Sequence, residues 1–196
     1  MELMDALLGR RSVYDFVPGR EVPDDVLQAA VKAACHAPNH KLTEPWRFTI
    51  IGPQTRAKVA GVVERTKAAS IDAATMPAER VAMLREKAAQ AGKEFVALPV
   101  VIAVTSALTP GDAFREREDY AASCCAIQNL QLALWGSGVG SQWSTGPATR
   151  DAETYALLGI DPAAEEIIGF VKIGWPSGEP GPARRNRIDD ALRRCP

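Results

Sequence analysis

The chain has 196 residues, with 23 Lys+Arg against 24 Asp+Glu and a formal net charge of -1. This length supports one domain with a real core. The balanced charge excludes a dedicated nucleic-acid binder, which needs a basic surplus to displace counterions, and no apolar run approaches the roughly 20 residues of a membrane span.

In chain order, Leu3, Met4, Leu7 and Leu8 recur at helical spacing between Glu2 and Gly9, with Gly9 as the stop. A second helix takes Pro23 at its first position, where a missing N–H costs nothing, and Asp24 and Asp25 complement the positive end of its dipole. Val26, Leu27, Ala30, Val31 and Ala34 form its apolar stripe, and Pro38 ends it. Trp46 to Ile51 is rich in β-branched and aromatic residues and predicts a strand, closed by Gly52 and Pro53. Gln54 to Val63 and Met76 to Ala91 are rich in Ala, Lys and Glu and predict helices. Pro99 to Thr105 is a continuous apolar run of strand length, as expected for a strand covered on both faces. Asp119 to Trp135 predicts a helix apolar nearly all round, hence buried or in an interface. Val139 to Trp143 predicts a short strand, Arg150 to Leu158 a short helix and Ile167 to Ile173 a last strand. Arg184 to Pro196 carries five Arg and two Asp and predicts an outward arm. The order ααβααβαβαβ has more helix than a doubly wound sheet requires, so the fold class is α+β, a modest sheet around one central buried helix.

The four cysteines, Cys35, Cys124, Cys125 and Cys195, form no C-x-x-C and make a poor disulfide framework. Reduced thiols and a cytoplasmic location are expected, and the N-terminus MELMDALLGRRS lacks the order of a secretory signal. The glycines of GSGVG (Gly136 to Gly140) follow a helix and precede a strand, the reverse of a dinucleotide-binding fingerprint, so they read as helix termination. His36 and His40 have the i, i+4 spacing of zinc ligands, but Pro38 between them breaks the helix and no third or fourth ligand is evident. No metal site is expected; a polar loop that hydrogen-bonds a ligand fits better. Arg10, Arg11 and Ser12 admit two readings: cations at the negative end of a helix dipole, or an anion clamp of guanidinium forks and a hydroxyl. There is no nucleophile motif, and with only two His a bound cofactor is the natural carrier of any chemistry.

Several stretches resemble the FMN-dependent nitroreductase family, in its compact bacterial branch. RRSVYDF (Arg10 to Phe16) resembles the family's R-R-S-x-R-x-F opening. APNHKLTEPWRFTII (Ala37 to Ile51) resembles A-P-S/D-x-x-x-x-Q-P-W-R-F, and GFVKIGWPSGEP (Gly169 to Pro180) resembles G-F/Y-x-x-I-G-x-P-x-x-x-P. NLQLALWGSGVGSQW (Asn129 to Trp143) resembles the central helix and the glycine-rich turn after it.

The resemblance implies an α+β sandwich spanning residues 1–196 as one domain. It implies a homodimer with FMN in the interface, and a C-terminal arm from about 180 to 196 that reaches the partner. It implies a ping-pong oxidoreductase: NADPH or NADH gives a hydride to the flavin, and a nitro compound, quinone or similar small acceptor then takes its place. A specialised flavin chemistry on the same fold, or flavin storage without turnover, is the alternative. No membrane or nucleic-acid partner and no catalytic side chain are implied. By position, Arg10, Arg11 and Ser12 match the phosphate and ribityl contacts. His36 and His40 match the loop touching the flavin, Trp143, Ser144 and Thr145 match the strand lining it, and Arg185 or Arg187 matches the C-terminal basic residue. Leu42 stands where many members carry Asn, and Glu44 where they carry Gln; a carboxylate facing the ring would oppose negative charge on the reduced flavin.

Overall fold

A computed structural model describes residues 1–181 and 191–195. The elements follow the predicted order: α1 (Leu3–Gly9), α2 (Asp24–Ala34), β1 (Trp46–Ile50), α3 (Pro53–Ala69), α4 (Ala78–Ala97), β2 (Val100–Ala107), α5 (Ala113–Gly136), β3 (Gly140–Ser144), α6 (Ala152–Leu158) and β4 (Glu165–Gly174). The strands make one antiparallel sheet in the order β1-β2-β4-β3. The fold is therefore α+β, as expected.

Helices cover both faces of the sheet, which is why β2 reads as an unbroken apolar run. Ile102 and Val104 pack under α2 and α5 with Ala30, Ala34, Ile127, Leu130 and Leu134. Val101 and Ala103, pointing the other way, pack with Val59 and Val62 of α3 and Phe95 of α4. Fully buried leucines such as Leu130 and Leu134 each contribute about 2 kcal/mol of transfer free energy.

The boundaries move for local reasons. Pro23 is the residue before α2 rather than its first. The helix stops at Ala34 because Pro38 disfavours the helical region at Ala37, and His36 and Ala37 close tighter turns onto the carbonyls of Ala33 and Ala34. Helix α3 runs on to Ala69 through residues of high helix propensity, and α4 runs on to Ala97 across Gly92, where Phe95 packs into the core. Helix α5 begins at Ala113, where the Asp112 carboxylate accepts from the Arg115 N–H at 3.0 Å. Its end fits the glycine reading, with Gly138 left-handed at φ 77.

Within one chain α5 is not buried all round. Asp119, Ala122, Ser123, Ala126, Ile127, Leu130, Gln131 and Leu134 are buried, but Phe114, Ala121 and Cys125 are exposed and Gln128, Leu132 and Trp135 only half-buried. These six lie three, four or seven residues apart, a stripe along one side of the helix. At its C-terminal end α1 adds Leu3, Met4, Leu7 and Leu8, all exposed.

The N-terminal segment after α1 runs along the free edge of β3. Val13 N–H donates to the Ser141 carbonyl at 3.0 Å, Ser12 bridges Ser141 in parallel, and Val17 N–H donates to Trp175 O at 2.8 Å. Gly140 permits this approach, since a Cβ there would lie 2.7 Å from Val13 Cγ2.

Candidate functional site

The edge segment, the ends of β3 and β4 and the α3–α4 pair enclose a cavity of about 580 Å³. Pleating decides which side chains enter it. Gln142 and Ser144 of β3 and Phe170 and Lys172 of β4 project to the α3–α4 face, with Gln142 directly opposite Lys172 and Ser144 opposite Phe170. Thr66 and Lys67 of α3 and Glu94 and Phe95 of α4 form the far wall, Tyr14 to Pro18 a side wall, and Thr145 and Gly146 the rim. Phe95 and Phe170 meet edge to face at 5.6 Å between centroids and make the interior apolar.

The sequence-predicted residues divide into groups. Ser144 and Thr145 line the cavity. Trp143, one residue away, faces the other side of the sheet: its indole N–H donates to Ile168 O at 3.1 Å and its ring packs against the α2–α5 core. Arg10, Arg11 and Ser12 lie just upstream of the cavity wall on the same extended segment. Arg10 caps the C-terminal end of α1 and is half-buried. The Arg11 guanidinium donates to the carbonyls of Leu8 at 2.7 Å, Arg10 at 2.8 Å and Gly181 at 3.3 Å, so it fastens the helix end to the chain beyond β4. Arg185 and Arg187, with most of the expected arm, lie outside the described residues.

His36 and His40 are exposed and do not line the cavity. His40 sits in the loop before β1, where Lys41, Leu42 and Glu44 all have positive φ, at 55°, 53° and 43°. Left-handed backbone at three non-glycine residues is costly and persists only when surroundings hold it. Two ties to α5 do so: His40 Nδ1 meets the Glu118 carboxylate at 3.0 Å, and the Thr43 hydroxyl donates at 2.6 Å to the buried Asp119, which Arg115 also approaches at 3.5 Å. The Asn39 amide closes the loop by accepting from Glu44 N–H at 3.1 Å. Leu42 and Glu44 consequently face solvent in the single chain, Leu42 at 82% exposure. Among the described residues no cluster of three or more His, Cys, Asp or Glu is placed to hold a metal. The four cysteines are free thiols, and burial pushes Cys124 above the usual thiol range, away from nucleophilic thiolate.

Sequence reasoning missed Gln142, Lys67, Glu94 and Lys172. Lys67 and Glu94 sit in stretches with no motif, and Gln142 lies within the glycine-rich stretch from Asn129 to Trp143 without a role of its own there. Lys172 did carry a signal: it is a single charge inside the apolar run from Ile167 to Ile173, and such a charge in a strand covered on both faces needs a reason.

Comparison with known proteins places this arrangement. The chain is 28% identical over 188 residues to the "Putative NAD(P)H nitroreductase YfhC" of Bacillus subtilis, spanning 96% of this chain and 91% of that one. A nitroreductase-like family protein from Bacillus cereus superposes over 100% of this chain and 96% of its own, with a TM-score of 0.79 and 25% identity. The structure of oxidised iodotyrosine deiodinase, bound to FMN and 3-iodo-L-tyrosine, covers 95% of this chain and 96% of its own, with a TM-score of 0.73 and 23% identity. No helix among the described residues is long and apolar enough to cross a membrane. The model of the nitroreductase family matches residues 7–175, and the chain belongs to that family.

Proposed function

We propose that the protein is an FMN-dependent NAD(P)H oxidoreductase, passing reducing equivalents from NADPH or NADH to a nitro compound, quinone or other electron-poor small molecule. The observation that carries this reading is the cavity of about 580 Å³ with the Arg10–Ser12 strip beside it. Its volume falls in the range of small-molecule sites, roughly 300–1,000 Å³. It pairs an apolar aromatic interior with polar side chains, Gln142 and Ser144, and cations sit next to it, as a planar heterocycle with a phosphate tail requires. The FMN named in the deiodinase structure supports the choice of cofactor, and the name of the Bacillus subtilis relative supports the donor.

When bound, FMN supplies the hydride and electron chemistry. The chain supplies the rest. Arg10 grips the phosphate, Ser12 adds a hydroxyl, and Arg11 holds the helix end in register by its carbonyl contacts. Ser144 and Thr145 orient the ring from the rim, and Phe95 and Phe170 keep water from it. A second copy of the chain completes the site: the apolar stripe of α5 and α1 is the dimer surface, and it carries the His36–Glu44 loop, bound to α5, toward the partner's flavin. The four free thiols agree with a cytoplasmic location.

The test is an absorption spectrum of purified protein under anaerobic conditions. A yellow protein bleached by NADPH or NADH is expected; a yellow protein indifferent to both nicotinamides points to flavin storage, and a colourless one that takes up no FMN overturns the reading. The phosphate clamp is tested separately. Arg10→Ala should weaken FMN about ten- to hundredfold while leaving riboflavin, which lacks the phosphate, nearly unchanged, because a charge-assisted hydrogen bond is worth roughly 1.5–3 kcal/mol. Titration of both ligands decides it, and equal losses would assign Arg10 to the helix end alone.

A further inference from the structure

Lys172 interrupts an otherwise apolar strand. Val171 and Ile173 are wholly buried on the α5 face, and Phe170 is buried against Phe95 on the other. The Lys172 side chain, half-buried, is directed into the cavity opposite Gln142. Among the described residues no carboxylate lies within 4.0 Å of its ammonium. The charges that bear on it come from the far wall: Lys67 of α3 repels it and Glu94 of α4 attracts it, both from exposed positions. Burial, with the help of Lys67, pushes Lys172 below the usual lysine range. A cation half-withdrawn from water, in a ligand-sized cavity and with no ion pair among the described residues, is suited to negative charge on a ligand. Tyr14 to Pro18 of the N-terminal segment line the same cavity without a cation, and of its two lining lysines Lys67 is exposed on α3 while Lys172 projects from the sheet itself.

We propose that Lys172 is the cation this cavity presents to the flavin, favouring the reduced, anionic form over the oxidised one and so setting the cofactor's electron affinity. This rests on the flavin reading above. Two-electron reduction leaves negative charge on the ring system at neutral pH, and a nearby ammonium stabilises that state selectively. Glu94 opposes it from the wall, so the two residues act with opposite sign.

The experiment is a spectroelectrochemical titration of the full-length FMN-loaded protein, with oxidised-FMN affinity measured alongside. Lys172→Met and Lys172→Gln should lower the ratio of reduced- to oxidised-flavin affinity about tenfold, making the midpoint potential about 30 mV more negative for two electrons. Lys172→Arg should keep the wild-type potential, and Glu94→Gln should move it in the positive direction. A packing role moves stability without this pattern of signs. Unchanged potentials in both Lys172→Met and Lys172→Gln, with FMN still bound, overturn the inference. So does loss of oxidised FMN by both variants while circular dichroism shows them folded. Wild-type protein that takes up no FMN overturns the flavin reading itself, and this inference with it; wild-type protein that binds FMN leaves that reading standing whatever the variants do.

Discussion

Gly169→Val is expected to destabilise the fold by about 3 kcal/mol or more, at the upper end of the cost of overpacking a core. Gly169 has a φ of 158° and sits where β4 slips register against β2, between the Val104 and Thr105 pairings. An added Cβ would drive into the Trp143 indole, lying 2.6 Å from its Cδ1, and would stand 3.2 Å from the Ser144 carbonyl. The indole has little room to retreat, since its N–H is bonded to Ile168 O and its ring is packed in the α2–α5 core. Urea unfolding of the wild type and of Gly169→Ala and Gly169→Val should show a graded fall in midpoint. Adding Trp143→Phe to Gly169→Ala should recover part of the loss, because the two substitutions share one contact. A full-stability Gly169→Val protein would mean that β4 can shift at its bulge.

The wild-type protein should sediment at low micromolar concentration as a single dimer, and Ala121→Arg with Cys125→Arg should convert it to a monomer whose FMN affinity is at least tenfold lower. Both side chains are exposed in the single chain, so the substitutions spare its own core. Phe114 at 73%, Leu3 at 68% and Leu8 at 68% exposure are large apolar side chains left in water by the single chain, and exposed apolar patches mark interaction surfaces. An obligate interface buries roughly 2,000–5,000 Å², and the guanidinium groups, two from each protomer, would be desolvated there without partners. A wild-type monomer that retains FMN, or an arginine double variant that remains dimeric, would remove this surface from the interface.

The element order and the burial of both sheet faces were legible because they rest on local periodicity and on one continuous apolar run, Pro99 to Thr105. The glycine-rich turn after α5 was legible because helix termination depends on backbone freedom at Gly138. Helix ends were less so: Asp112 is an N-cap residue, but the charged AFRERE after it interrupts the apolar pattern and moved the expected start to Asp119, and the exposed stripe of α5 is as apolar as the buried one, so no pattern distinguishes an intrachain core from an unpartnered surface. At the cavity, Ser144 and Thr145 came from the family resemblance alone and line it in the structure, whereas single-residue alternation along β3 turns Trp143 away. Lys67 and Glu94 were not legible, because they reach the cavity from helices distant in sequence and are brought there by packing alone.

The segment from Ser12 to Val17 also acts as a guard rail. A four-stranded sheet has two open margins, and an unsatisfied strand margin is a template for pairing with another chain. By lying along β3 and taking the Ser141 carbonyl, this segment closes one margin with the same stretch of backbone that presents Arg10 and Ser12. Under the flavin-binding role proposed above for Arg10 and Ser12, loosening it would release the phosphate and uncover an aggregation-prone margin together, so loss of flavin and loss of solubility would arise as one event.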